Sequence, residues 1–330
     1  MENSFIASKT KRLDKFLAAQ FPSLSRAYLK EQIKLGNILV NGKKIKPSFS
    51  LRKNDQVEFA PGFILPESSR QILPNPAIKL KIIYEDNDVL VIDKPAGLAV
   101  HPRQNKNGAP LESEVSSTLV SGLLAYYPAM ANVGDYNSPQ PPLNLRGGEN
   151  IRPGLVHRLD KDTSGVLIIA KNQVSFDWLK NQFKERRVQK KYLALVQGAF
   201  KEKQGEIKTL LHRSQKDPTK QKISTKEGKE AITRYKVIKE FKKYTLLEVS
   251  PKTGRLHQIR VHLAWLGHPV AGDKKYGHKN QLLPSGLNRQ FLHAAELKII
   301  LPNGQEKQFS SPLPEELTKI LAQLEKNSNQ

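Results

Sequence analysis

Residues 152–172 read RPGLVHRLDKDTSGVLIIAKN, and the second half of that stretch decides the architecture. VLIIA is a short, continuous apolar run of the kind that forms a strand buried on both faces. The TSG before it spells a turn, which places HRLD near the strand's mouth. Charges beside a buried strand ask for a reason. Taken singly, Asp160 reads as an ordinary cap or turn acid and Arg158 as a surface cation.

A second stretch, SPKTGRLHQIRVHLAWLGHPVAGDKKYG (250–277), carries the matching half of the argument. Leu256, Ile259, Leu263 and Leu266 recur at helical spacing, and Gly267 is a good stop. Arg260 sits on the edge of that apolar row. A guanidinium against a core must be paired, because stranding a buried charge costs roughly several kcal/mol. The spacing therefore asks for a carboxylate partner, with Asp160 or Asp162 as the candidates. Metal binding by His257, His262 and His268 is the rival use of this region. His257 and His262 are five apart and share no helix face, no HExxH is present, and the chain has no cysteine to add as a ligand.

Outward from these motifs, 81–102 (KIIYEDNDVLVIDKPAGLAVHP) reads as two strands around Glu85 to Asp88 and then a loop led by Pro95 and Gly97. Residues 128–153 form a long irregular stretch rich in Pro, Gly and Asn. The tract 212–230 (HRSQKDPTKQKISTKEGKE) has too few apolar residues for a core strand and reads as a hairpin or loop projecting from the body. Residues 61–77 hold four prolines and read as a linker.

Before that linker lies a small unit, 1–60. Leu13, Phe16 and Leu17 predict one helix; Ser25 as N-cap, with Tyr28, Leu29, Ile33 and Leu35 inward and Gly36 at the end, predicts a second. Asn41-Gly42 is a hairpin turn signal, and QVEF closes the unit as a strand. It carries 12 Lys and Arg against 5 acidic residues, so one basic surface made by Arg12, Lys15, Arg26, Lys30, Lys43 and Lys44 suits RNA. The remainder, 78–330, forms the larger domain.

The whole chain of 330 residues has a formal charge of +23, a field that attracts polyanions. No apolar run approaches the ~20 residues of a membrane span, and no basic amphipathic anchor stands out. With no secretory signal at the start, the cytoplasm is the expected compartment. Zero cysteines exclude disulfides and cysteine nucleophiles.

HRLDKDTSG (157–165), KKYLALVQG (190–198) and GRLHQIRVHL (254–263) together resemble the active-site motifs of the RluA-type pseudouridine synthases. GDKKYG, FLHAAEL and SPLPEEL fall in that family's order, and the match spans about residues 80–317. RLDKFL, SRAYLKEQIKLGNILVNGK and DQVEF resemble the S4 RNA-binding domain, an arrangement nearest the family's large-subunit ribosomal branch. The resemblance implies an α+β protein: a mixed, largely antiparallel sheet flanked by helices and loops, plus a small α/β S4-like domain. It implies that Asp160 is the catalytic carboxylate, that Tyr192 packs on the target base and that Arg260 pairs with Asp160. Arg158, with His157 and Arg255 nearby, would hold the RNA open. By the same resemblance no cofactor and no metal is needed; the partner is ribosomal RNA in a large-subunit or precursor particle, and the protein acts as a monomer.

A carboxylate suits the isomerisation, since it can stabilise or attack the ribose, or abstract a proton from it, and later help remove the proton from C5. A neighbouring arginine favours the ionised form. Tyr192 read alone is a core aromatic of the strand YLALV; read as a platform, it stacks a base taken out of its helix. A pyrimidine C5 methyltransferase would need a thiol, which is absent. A non-catalytic RNA-binding or ribosome-assembly protein is the alternative. It would explain the charge but not the apolar settings of Asp160 and Arg260.

Overall fold

The apolar spacing of the first sixty residues becomes a small, self-contained layer of helix on sheet. The computed structural model describes residues 4–7, 10–21, 26–61, 63, 72–103, 111–134, 152–278 and 283–328. Its first elements are β1 (Ser4–Ile6), β2 (Lys11–Arg12), α1 (Leu13–Gln20), α2 (Arg26–Leu35), β3 (Ile38–Val40), β4 (Ser50–Leu51) and β5 (Gln56–Phe59). Strands β1, β5 and β3 form an antiparallel sheet in that order, and β2 pairs with β4. Leu13, Leu17, Leu29 and Ile33 are fully buried in its core. Leu35, expected inward, is exposed, because the tenth residue of α2 falls beyond the buried stripe. Ser25 and the Tyr28 side chain lie outside what the structure describes. Asn41 (φ 50°) and Gly42 (φ 72°) make the expected left-handed turn, yet the chain after it returns as a single bridge, Val40 to Lys43, and β3 pairs with β5 instead.

Asp14 explains why three of the basic residues are where they are. Its carboxylate is fully buried, and it accepts hydrogen bonds from Arg12 and Arg26 at 2.7–3.1 Å, with Lys30 Nζ 3.7 Å away. Burial favours the neutral acid, but those two guanidinium groups hold its pKa down to about 2. Arg12, Arg26 and Lys30 are thus gathered by an internal carboxylate, whereas Lys15, Lys43 and Lys44 are simply exposed to solvent.

The second unit takes in Pro74–His101, residues 117–134 and everything described from Arg152 onward, while Pro102–Ser116 groups with the first. Its elements are β6 (Ile82–Glu85), β7 (Val89–Lys94), α3 (Leu119–Tyr126), β8 (Ser164–Ala170), α4 (Gln173–Lys184) and β9 (Gln189–Gln197). These are followed by β10 (Gln204–Arg213), β11 (Gln221–Ser224), β12 (Lys229–Glu240), β13 (Tyr244–Pro251), α5 (Gln258–Trp265), β14 (Leu292–Ile300), β15 (Glu306–Ser310) and α6 (Glu315–Ser328). One ten-stranded sheet runs β11-β10-β12-β13-β9-β14-β8-β7-β6, with β15 also on β14. All pairs are antiparallel except β14 with β8, so the mixed, largely antiparallel expectation holds. Every residue of β8 is buried, as VLIIA required. Among the described residues no helix is long and apolar enough to cross a membrane.

The parallel seam depends on one glycine. Gly165 has φ +119°, and a Cβ there would stand 2.1 Å from the carbonyl oxygen of Ala294. Only glycine lets β14 approach that closely, so the Ser-Gly read as turn residues begins the strand itself. Of the irregular stretch 128–153, Pro128–Asn132 is a short 3-10 helix and 135–151 lie outside the described residues. The Lys-rich tract does form a hairpin, with β11 on the sheet edge, but it is tied down: Gln221 N–H donates to the Tyr276 hydroxyl and Ile223 packs near Leu211 and Val261.

Candidate active site

Asp160 stands on the turn that leads into β8, with its carbonyl accepting the Thr163 N–H at 3.1 Å. The segment is pinned from both sides. His157 Nε2 accepts the Ile168 N–H of β8 at 3.0 Å, and its ring stacks on Phe183 of α4 at 4.6 Å. Burial and the Lys190 charge push this imidazole down to about 3, so it is neutral. His157, expected among the RNA contacts, uses its acceptor nitrogen to hold HRLD against the strand. On the other side Lys94, fully buried at the end of β7, donates to the carbonyls of Pro95, Leu98 and Lys161. Burial draws this ammonium down to about 7, against the fields of Asp162 and Asp160. Its three carbonyl acceptors favour the charged form, and they make Lys94 the post on which the two loops hang.

Arg260 comes from α5, whose start is fixed by Gln258. That side chain accepts from the Arg255 N–H and donates to the carbonyl of Ile232 and the hydroxyl of Thr233 on β12. His257 precedes the helix in a left-handed conformation, φ 55°. From this anchored turn Arg260 reaches two carboxylates at once. Nη1 donates to Asp160 at 2.8 Å, while Nε and Nη2 donate to Asp273 at 2.7 and 2.8 Å. The sequence asked for a carboxylate partner; Asp160 is one, Asp162 is not, and Asp273 is the partner that reading missed. Asp273 is fully buried and also accepts from the N–H groups of Lys275 and Tyr276. Burial favours its neutral form, but the guanidinium and those two amides hold it below the usual carboxylate range. Burial likewise opposes the Arg260 charge, and the two carboxylates outweigh it and raise its pKa.

The other oxygen of Asp160 faces His257, whose Nε2 is 3.9 Å away. Tyr276 braces that ring. Its hydroxyl accepts the Gln221 N–H at 2.8 Å and lies 2.9 Å from His257 Nδ1. Burial takes His257 down to about 4, which leaves a neutral imidazole beside Asp160. His262 bonds the hydroxyls of Thr209 and Thr233, and His268 bonds the Gln197 carbonyl and stacks on Phe200. The three histidines serve three different neighbourhoods. Among the described residues no group of three or more His, Cys, Asp or Glu could hold a metal ion.

These groups open onto a cavity of about 520 Å³. Asp160 keeps 16% of its side chain exposed; among the described residues it is the only carboxylate of the wall, against ten Lys and Arg. Tyr192, from β9, lines it too; burial and the charge of Asp160 both raise its phenol pKa, so the ring is a neutral, largely apolar surface. Arg158 stands at the cavity with Nη1 2.9 Å from His101 Nε2. Arg255 lies on the same wall with Nε donating to the Glu230 carbonyl. The structure thus brings together Asp160, Arg260, Tyr192, Arg158 and Arg255. Asp273, Tyr276 and Lys94 were not singled out from sequence; the partner sought for Arg260 was Asp160 or Asp162.

The model for the RNA pseudouridylate synthase family matches residues 88–265, and that for the S4 domain matches residues 11–57. The chain is 37% identical over 321 residues to the uncharacterized RNA pseudouridine synthase YlyB of Bacillus subtilis, covering 97% of this chain and 96% of that one. It is 36% identical to ribosomal large subunit pseudouridine synthase D of Xylella fastidiosa, covering 96% and 90%. With ribosomal large subunit pseudouridine synthase C of Escherichia coli it shares 34%, covering 95% and 92%. Among solved structures, human RNA pseudouridylate synthase domain containing 4 superposes with a TM-score of 0.53 at 25% identity, over 74% of this chain and 93% of that one.

Proposed function

The chain belongs to the RNA pseudouridylate synthase family of isomerases, with an S4 domain ahead of its catalytic unit, and we propose that it converts uridines of large-subunit (23S) ribosomal RNA to pseudouridine through Asp160. The observation that carries this reading is a carboxylate, the only one among the described residues of the wall, in a strongly basic cavity, fixed by an arginine that is itself fixed by a second, buried carboxylate.

In this reading the target uridine leaves its stack and enters the cavity, where the Tyr192 ring supports the base. Stacking of that kind is worth ~1 to 3 kcal/mol. Asp160 acts at the ribose as the N1 glycosidic bond breaks. The uracil turns, C5 bonds to the same ribose carbon, and a proton leaves C5 while N1 gains one. Reactant and product have the same composition, so no co-reactant is consumed. Arg260 keeps Asp160 aimed, the neutral His257 flanks it from the other side, and Arg158 helps hold the RNA open.

Incubating the protein with an unmodified transcript of 23S ribosomal RNA and mapping pseudouridines tests the assignment. New pseudouridine at defined uridines is expected. Tight binding with no pseudouridine anywhere would leave a non-catalytic RNA-binding protein. The S4 unit supplies affinity and placement in this scheme. Deleting residues 1–60 should weaken binding and flatten its salt dependence in proportion to the number of phosphates that unit neutralises. Equal affinity of the truncated and full chains across a salt series would rule that role out.

A further inference from the structure

The two consecutive lysines of KKYLALV have opposite fates. Alternation along β9 sends Lys191 to one face and both Lys190 and Tyr192 to the other. Lys191 lies 3.1 Å from Glu296 and 3.8 Å from Glu248, which neutralise it. Lys190 lines the cavity with Tyr192, and among the described residues its Nζ meets only the Thr253 carbonyl, at a long 3.5 Å. Among the described residues no carboxylate pairs with it. Burial lowers its pKa to about 8, and the charge of Lys252, just past β13, acts in the same direction. Lys252, Arg213 and Arg255 share the wall with it, and the α4 side contributes Lys180 and Lys184, all cations. A half-buried ammonium with cations for neighbours and no counter-charge among the described residues costs free energy. Placed at a cavity wall rather than inside the core, it is met most simply by an anion from outside.

We propose that Lys190, assisted by Lys252, forms a subsite for one phosphodiester of the substrate RNA, adjacent to the nucleotide whose base rests on Tyr192. The inference rests on the isomerase reading above and adds the backbone contact that would register the strand. Lys190 and Tyr192 are two residues apart on one face, about 6.6 Å along the strand. That is on the scale of the separation between a nucleotide's base and its own phosphate. A lysine suits the task, because a compact point charge on a flexible stem follows a phosphate without demanding a planar, two-pronged fit.

The test uses the full-length protein and the 23S transcript, with a single neutral methylphosphonate linkage ligated in turn at positions flanking the mapped uridine. For the wild type, one linkage next to the target should raise KM roughly tenfold. Lys190→Met keeps most of the stem and removes the charge. It should raise KM by about the same factor with kcat within about twofold, and it should be indifferent to that one linkage. Lys190→Arg should recover most of the loss. The melting temperature of Lys190→Met should hold or rise, since an uncompensated charge has gone, whereas a lysine serving only the fold would lower it. If neutral linkages cost the wild type and Lys190→Met alike at every position, the subsite is refuted while the isomerase reading stands. If the wild type makes no pseudouridine, both fall together.

Discussion

Asp160→Asn should reduce the single-turnover rate of pseudouridine formation by at least ~10³-fold, the scale of a lost acid-base or nucleophilic group. RNA affinity should stay within about twofold of the wild type, because one carboxylate adds nothing to phosphate binding and its removal only makes the cavity more positive. The variant should also fold. Arg260 keeps its two bonds to Asp273, and the asparagine amide oxygen can accept the Nη1 proton that Asp160 accepts at 2.8 Å. A folded Asp160→Asn protein that still turns over its RNA at a wild-type rate would falsify the assignment of Asp160.

The elements that could be read from sequence are those whose pattern is local. VLIIA became the fully buried β8, the Leu13–Leu17 spacing became α1, and Gly267, at φ +87°, ends the turn after α5. That Arg260 needs a carboxylate partner was also legible, since an arginine on an apolar row leaves few ways to balance its charge; the choice of Asp160 over Asp162 came from the family resemblance. What escaped was long-range. Asp273 lies only 13 residues beyond Arg260, but nothing local says that the loop folds back beneath the helix and buries an acid there. The bond from Gln221 to Tyr276 joins segments 55 residues apart, so the orientation of His257 depends on a hairpin that composition alone suggested was free of the body. In the first unit, too, a buried acid went unread: Asp14 gathers Arg12, Arg26 and Lys30, whose side chains nonetheless stay 40–43% exposed.

Arg260→Met should do damage of two kinds, and the pH dependence of stability separates them. Kinetically, Asp160 loses the group that aims it, and kcat should fall by on the order of 10²-fold or more, as when the orienting partner of a catalytic group is removed. Thermodynamically, the substitution strands Asp273, which is fully buried, and breaking such a pair costs about 3 to 5 kcal/mol. In the wild type Asp273 is held below the usual carboxylate range by Arg260. A depressed pKa means that the folded protein gives up its proton first. The contribution of Asp273 is then fully present above the unfolded value of ~3.9 and is lost as pH falls through the lower, folded value. Without the guanidinium, burial dominates and the folded-state pKa moves above the unfolded one. The sign then reverses: between about pH 4 and pH 7 the wild type should gain or hold stability as pH rises, while Arg260→Met should lose it. Arg260→Lys restores a charge near Asp273 and should recover much of the stability. Its donors all radiate from one nitrogen and cannot span two carboxylates as the three guanidinium nitrogens do, so kcat should recover only in part. Urea denaturation across that pH range, beside single-turnover rates for both variants, checks the argument. An Arg260→Met protein with the wild-type pH slope would mean that Arg260 does not carry the charge balance of this site, and Asp160 would then have to be positioned by its own turn and by His257 alone.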